Sequence, residues 1–494
     1  WVGGDIEGMP EQVQGHKEAG LDAIAALQLI VEVAKREQGA QLLNSNSIMT
    51  FLRQGRLHTR VTRHDAHQLR YYVASGAARH RNRWHQVWCH ALQTSHVLTV
   101  QLSHLDSHMS ELVAFAVTYT DRLTRVLTVT CDLYRDSSLS ADAYTTHGEQ
   151  GSGGFVAGMR PQGLTQNELI DAELGRVPSL AVLEEARQWS ALLLRLAHRL
   201  SVWAPHVPHL SRVVVELVPE VVGSLTYILN LWGSDTSAFE RRLPPVSEQE
   251  KQQARTVCDP STSEQRPCDH AVSVLDLPIQ AAIRQLATSF AKDSRSRSKL
   301  QHQRCLYNQR LLDTLFSLLH NCLRILCACG EQVRPHIERS MSRWGAGAIT
   351  SLPDWQVAHT SISSGPRRVG CSLGTIVASA EAAVSYLSFV SHVEWACEND
   401  TSDAVKVRGG QWQEEVGALQ HRRAMLLRLV ECAGLLLGRF AGDVDVRDAC
   451  RDLVIRLKST CTTPPSPQAG GGSKGGKQRE VDLERTLLML RTAM

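Results

Sequence analysis

From Arg176 to Leu243 the apolar residues recur at helical spacing through two successive segments, and few folds can absorb that pattern. Leu183, Ala186, Ser190, Leu193, Ala197, Leu200 and Ala204 recur at steps of three and four. Trp189, Leu193, Leu196, Leu200 and Trp203 give an overlapping stripe, so the apolar face is broad. Pro205 and Pro208 break the first segment. Leu210, Val214, Leu217, Val221, Leu225, Ile228 and Trp232 carry the second, with Pro219 inside it, where a kink is expected. Two such helices cannot bury their faces alone and need neighbours on both sides. The expected fold class is all-α, an irregular armadillo- or HEAT-like superhelix of helical hairpins.

Organisation along the chain agrees with this. Helical repeats are expected over 1–131, a loop at 132–163, a helical hairpin unit at 164–243 and a linker at 244–269. Further repeats follow at 270–343, a loop at 344–367, C-terminal repeats at 368–460, a flexible Gly/Pro linker at 461–479 and a terminal helix at 480–494. Within these blocks single helices are expected over 41–54, 65–80, 107–130, 179–204 and 208–232. Capping boxes mark starts at Thr165–Glu168 and Ser247–Glu250. The small pair Gly39-Ala40, followed by Leu42, Leu43, Ile48 and Leu52, predicts a close helix approach at a bend, as in an armadillo unit. No exact repeat of fixed period is visible, so the units would have diverged.

Composition excludes some partners. The formal charge is +3, from 53 basic and 50 acidic residues, too balanced to make nucleic-acid binding the main activity. The 13 cysteines are odd in number, and Cys322, Cys327, Cys329 and Cys432 sit within apolar helical patterns. That usage fits reduced, buried thiols in a cytosolic or nuclear compartment. The most apolar stretch, Thr375 to Cys397, carries Glu381, His392 and Glu394, so no transmembrane helix is expected. Because the chain opens on Trp1, it is expected to be part of a longer polypeptide.

Each candidate chemical motif departs from its template. Gly471, Gly476 and Lys477 have phosphate-loop spacing, but Gln478 stands where a Ser or Thr would bind magnesium and prolines precede the segment; a flexible linker accounts for it better. His85, His90, His96, His104 and His108 lie along one helical region, and His104 and His108 have the spacing to share a face, yet no third ligand or H-E-x-x-H accompanies them. Cys322, Cys327 and Cys329 are spaced C-x4-C-x-C rather than as a zinc knuckle, which favours small core residues. Asp443, Asp445 and Asp448 open like a calcium loop, but Asp448 replaces its glycine and Val454 its closing Glu; acids at a helix N-terminus are the better reading. Arg295, Arg297 and Lys299 form a basic cluster within Lys292 to Lys299, read as a solvated loop because no aromatic residues interleave. No catalytic, cofactor-binding or metal-ligating residue is therefore assigned, no cofactor is expected, and the chain is expected not to be an enzyme.

The stretch Arg176-Val177-Pro178-Ser179-Leu180-Ala181-Val182-Leu183-Glu184-Glu185-Ala186 resembles the C-terminal part of the nucleoporin 188 family, with nucleoporin 205 as its sibling. The likeness continues through Trp203, His206, Pro208, Leu210 and Leu225 to Leu243. Upstream, Trp84, Trp88, Glu111 to Phe115 and Asp121-Arg122-Leu123 follow the order of that family's long helical hairpin. Downstream, Gly374 to Ala378 resembles its late helix and Leu483 to Met494 its terminal one. The resemblance implies a curved solenoid without enzymatic activity, a scaffold of the nuclear pore inner ring at the nuclear envelope. It also implies an adaptor partner, nucleoporin 93, whose amphipathic helix docks on the last third of the chain, about 366–494, with Phe-Gly repeats or transport receptors as further partners. The chain itself contains no Phe-Gly dipeptide, as expected of a scaffold rather than a barrier component. A soluble HEAT- or armadillo-type transport receptor is the alternative on the same fold. Which residues face a partner is not legible from the pattern.

Overall fold

The computed structural model describes residues 10–54, 71–75, 78–134, 178–255, 306–335, 337, 370–398, 403–439, 444–461 and 483–491. Of these, 87% are helical and 2% lie in strands, so the chain is all-α. The expected Thr165–Glu168 box, the Lys292 to Lys299 cluster and the glycine-rich segment around Gly471 lie outside the described residues. Two compact units emerge. One comprises Trp1–Thr130, Ser138–Leu217 and Val246–Gln249; the other comprises Cys131–Ser137, Val218–Pro245 and Glu250–Met494.

In the first unit α1 (Pro10–Ala34), α2 (Glu37–Ser45) and α3 (Ile48–Gln54) precede a hairpin of β1 (Tyr72–Ser75) and β2 (Ala78–Arg81). Next come α4 (Arg83–Leu102), α5 (Asp106–Thr118), α6 (Thr120–Cys131), α7 (Leu180–Ala197), α8 (Leu200–Trp203) and α9 (Pro208–Arg212). Helix α4 is the hub, packing against α1, α2, α5 and α7. Its start is capped by Asn82, whose Oδ1 accepts from the Trp84 N–H at 2.9 Å. Ser179 caps α7 in the same way, accepting from Val182 N–H. The core gathers Trp88, Phe115, Tyr119 and Trp189, with ring centroids 4.6–6.1 Å apart.

Several helices break where the apolar pattern alone predicts continuity. Residues 72–75 pair antiparallel with 78–81, Ser75 opposite Ala78, instead of forming the end of a helix over 65–80. Tyr71, Tyr72 and Val73 prefer a pleated, half-buried surface, and Ser75-Gly76 is a poor helix interior. The segment 107–130 is two helices meeting at Tyr119. There the Thr118 and Thr120 hydroxyls donate to the Ala114 and Ala116 carbonyls, competing with the backbone ladder. The segment 41–54 breaks at Ser47, which has φ of 56° after the polar run Asn44-Ser45-Asn46.

The expected stripes are buried. Leu183, Ala186, Ser190, Leu193, Ala197 and Leu200 are all core residues, as are Leu210, Val214, Leu217, Val221, Leu225, Ile228 and Trp232; Ala204 is half-buried. Pro219 does not sit in a plain α-helix. A π-turn at Val213–Leu217 immediately precedes α10 (Val218–Ser234), loosening the backbone one turn ahead of the ring that would otherwise strike a carbonyl.

The second unit contains α10, α11 (Thr236–Arg242), most of α12 (Glu248–Arg255), α13 (Leu306–Cys329), α14 (Leu373–Glu398), α15 (Asp403–Gly438), α16 (Val444–Cys461) and a helix α17 at 483–491. Helix α14 packs on α10, α15 and α16, and α13 packs on α10 and α15. Every residue from Cys371 to Ala380 is buried, so α14 is covered all round at its start. Tyr386 stacks on Phe316 at 4.8 Å and meets the edge of Trp232 at 5.7 Å, joining α14 to α13 and α10. Two stretches, Pro208–Ser234 and Tyr307–Gln332, are long and apolar enough to cross a membrane by composition; 72% and 67% of their apolar windows are buried here by packing.

Gly39 is where a close approach is needed. A Cβ there would lie 2.2 Å from the Val33 carbonyl oxygen, and the adjacent Ala40 is fully buried. Gly233, near the end of α10, has nothing within 4 Å of such an atom. Gly39→Ala should therefore destabilise the protein by about 1–3 kcal/mol, while Gly233→Ala should stabilise it by about 0.5–1 kcal/mol. Urea denaturation of the two variants beside the parent checks this; equal midpoints would refute the close-approach argument.

Candidate functional site

Chemistry-bearing side chains concentrate in the first unit around Glu185 on α7. Glu185 is fully buried. Its Oε1 accepts from Trp88 Nε1 at 2.7 Å and from Arg122 Nε at 2.6 Å, and its Oε2 accepts from Arg122 Nη2 at 2.8 Å. The Arg122 contact is thus a bidentate fork, the strongest form of carboxylate pairing. The same guanidinium lies over the Trp88 ring, 5.5 Å from its centroid. Next to it, Glu184 pairs with Arg81 at the end of β2. The hairpin and the helices α4, α6 and α7 thus all contribute a side chain to one cluster.

Two further groups complete it. His85 Nδ1 lies 3.5 Å from Glu185 Oε2, and His85 Nε2 lies 3.5 Å from Cys89 Sγ. The edge of Tyr71 packs on the His85 ring at 4.7 Å. Thiol, imidazole and carboxylate therefore stand in the order of a nucleophile, its base and an orienting group. The electrostatics oppose that chemistry. Burial, then the Glu185 carboxylate, push the Cys89 thiol far above its usual range. Burial, then Arg81 and Arg122, hold His85 well below the usual imidazole range. Both groups are neutral near pH 7, so no thiolate–imidazolium pair is present to attack a substrate. The Tyr71 hydroxyl is likewise held protonated, by burial and by Glu185. What the cluster does is join elements.

The remaining histidines of α4 and its neighbours do not converge. His90 lies beside Gln93, at 3.3 Å, and His104 sits exposed in the turn after α4, off the helix that carries His108. His108 is fully buried, with Nε2 3.1 Å from Thr99 Oγ1 and Nδ1 3.1 Å from the Asn44 side-chain amide. Burial brings its pKa down to about 4. Among the described residues no three His, Cys, Asp or Glu side chains gather as a metal site.

In the second unit Cys322 and Cys329 are buried, and burial raises both thiols, Cys329 to about 12. Cys327 is half-buried and its Sγ lies 3.5 Å from the Cys432 carbonyl oxygen. The neighbouring Cys432 side chain lowers the Cys327 thiol, and the same contact, with burial, raises the Cys432 thiol. Cys89, Cys131, Cys322, Cys327, Cys329, Cys371, Cys432 and Cys450 are free thiols. Asp445 lies in the first turn of α16, while Asp448 pairs with Arg451 at 2.6 Å and Val454 is buried. A crevice of about 10 Å³ between Leu326, Val333, Ile337 and Leu436 has room for roughly one water.

The Glu185 cluster was missed by spacing arguments because its members lie far apart in the chain. One signal was available. Two adjacent acids interrupt a run, from Leu180 to Leu200, whose apolar residues cover more than one helix face. Acids in a helix buried all round need cationic partners.

Compared with protein-family models and with curated proteins, the chain matches none.

Glu185→Gln should cost about 3–5 kcal/mol by leaving Arg122 buried without its counter-charge, whereas Glu185→Gln combined with Arg122→Met should cost less than the sum of the single changes. A double-mutant cycle by chemical denaturation measures the coupling; strict additivity would mean the pair contributes nothing. For His108 the folded pKa lies below the unfolded value of about 6.5, so its stabilising contribution is complete above about pH 6.5 and is lost as the pH falls toward 4. His108→Gln should flatten the decline in stability between pH 6.5 and 4, read from urea midpoints across that range.

Proposed function

We propose that the chain is a binding scaffold, the C-terminal part of a nuclear pore inner-ring protein of the nucleoporin 188 and 205 type. It carries no chemistry of its own in this reading and acts at the nuclear envelope, supporting transport through protein–protein contacts. Its helices are the units of a superhelix, and an amphipathic adaptor helix, that of nucleoporin 93, lies in a groove of the last third of the chain.

The observation that carries this reading is the fate of the segment bearing the resemblance. Ser179 to Ala186 is buried without interruption, and its two carboxylates pair with arginines from β2 and α6. The residues that would mark an active site in such a position serve to join elements, which is what a load-carrying helical array requires. Supporting it further, 87% of the described residues are helical and only 2% lie in strands.

Affinity purification of the tagged full chain from nuclear extract should recover inner-ring nucleoporins, nucleoporin 93 among them, and the tag should stay at the nuclear rim. Removal of residues 366–494 should abolish recovery of the adaptor. Recovery of cargo with exchange between nucleus and cytoplasm would instead favour a soluble transport receptor. Absence of both partner sets would sink the scaffold reading.

A further inference from the structure

A second cluster of charge, in the other unit, is not consumed internally. Helices α13 and α15 run parallel. Asp313 pairs with Arg422, Ser317 Oγ meets Met425 Sδ at 3.2 Å and Cys327 Sγ reaches the Cys432 carbonyl, at sequence separations of 109, 108 and 105 residues. The separation of 108 also relates His320 to Arg428, which places them at one level between the Ser317 and Cys327 contacts. Arg324 follows His320 by one helical turn on the same face, and His421 precedes Arg428 by two turns on α15.

His320 is the deepest member of this group. It is only 8% exposed, and its Nε2 is buried without a hydrogen-bond partner. Such an orphan is unfavourable in a folded protein and calls for an explanation. Above it Arg324 is half-buried, while Arg428 and His421 are exposed. Among the described residues neither arginine has an ion-pair partner. Two acids on the same helices have partners elsewhere. Asp313 takes Arg422 and the Tyr386 hydroxyl, and Glu431 takes the Thr486 hydroxyl with Arg485 at 3.5 Å.

We propose that His320, Arg324 and Arg428 form an anion-binding site for a phosphate group, which the two guanidinium groups grip from the surface while the buried imidazole donates from below. Two planar forks and one deeper N–H donor suit an ion with several acceptor oxygens and a charge near −2 better than a carboxylate, which one fork satisfies. The site's electrostatics fit. Burial, then Arg324, Arg428 and His421, bring His320 down to about 3. Among the described residues no acid opposes that effect, so an arriving anion neutralises the surrounding cations and lets the imidazole offer a proton to it. The phosphate can be a free ion or one carried on a phosphorylated polypeptide side chain; the chemistry recognised is the same.

The probe is inorganic phosphate, added to the full chain against sodium chloride at matched ionic strength. Thermal unfolding should shift upward with phosphate, and the His320 ring resonance, in histidine-labelled protein, should move with the same saturation curve. Arg324→Gln and Arg428→Gln should each weaken binding about tenfold, the loss of one charge-assisted contact, and the double variant should abolish the shift. Arg451→Gln, an exposed residue paired with Asp448, should leave it unchanged. Blocked phosphoserine and acetate complete the series. Tighter binding of phosphoserine than of phosphate assigns a polypeptide source, and the reverse assigns the free ion. Acetate equal to phosphate would overturn the proposal. So would an unmoved His320 resonance, which is read in the unaltered protein and does not depend on any variant folding.

Discussion

A carboxylate with no exposed surface, held by one arginine and one indole, organises the first unit. Moving an ion such as Glu185 out of water costs several kcal/mol even after relaxation, and only close, well-directed partners offset that. Here three charge-assisted or direct hydrogen bonds at 2.6–2.8 Å converge on its two oxygens. The geometry leaves little freedom. Rotating α7 by one residue would carry Glu185 away from α4 and α6 and bury Arg122 without a partner. The net energy of such a pair is often near zero compared with a well-packed apolar substitute. Its effect falls on the competing arrangements, which bury a bare charge. The aromatic cluster of Trp88, Phe115, Tyr119 and Trp189 then fills the same interface with apolar surface, and Trp88 belongs to both.

The second unit meets the same problem with less commitment to charge. Asp313 pairs with Arg422 and accepts from Tyr386, but both members of the pair retain some exposure, 31% and 17% at the side chains. Tyr386 is the element that cannot be moved. It is fully buried, stacked on Phe316 with an interplanar angle of 3°, and its hydroxyl reaches the edge of the core. Small residues along α14, Gly374, Ala378, Ser379, Ala382 and Ala383, allow neighbours to come near, and Ser379 meets Thr226 of α10 at 2.6 Å. The unit is held by packing around one thin helix, and its Asp313–Arg422 pair stays partly exposed where that of Glu185 does not.

What sequence periodicity reveals is which residues are inside. The stripes from Leu183 to Leu200 and from Leu210 to Trp232 are core almost without exception, because a 3.6-residue period is a direct consequence of burying one helix face. Gly39-Ala40 is legible for the same reason, as a place where a side chain would collide. Breaks are harder to see. Hydroxyls at Thr118 and Thr120 and the left-handed Ser47 interrupt helices without altering apolar spacing. Pro219 is visible, but its remedy, a π-turn over the five residues Val213–Leu217, is set by backbone hydrogen bonding that spacing does not encode. The Glu185 cluster unites residues more than sixty positions apart, and only their depth makes them notable.

Depth also separates structural charge from functional charge. Arg81, Arg122, Glu184 and Glu185 are buried or nearly so, and each is matched, so the desolvation of every ion is answered by a partner of the same chain. At His320 the matching fails. The imidazole is about as deep as those groups, yet among the described residues the charges acting on it are all of one sign, and they make it harder to protonate rather than easier. A fold that pairs its buried ions so consistently in one unit would gain stability by placing an acid opposite Arg324, and a single substitution on α15 would supply it. Keeping these neighbours cationic instead costs stability, and a cost retained in an otherwise economical helical framework is where a ligand is to be sought. In a scaffold that acts by contact, an anion held between two parallel helices also bears on their mutual register, since both guanidinium groups would have to reach it at once.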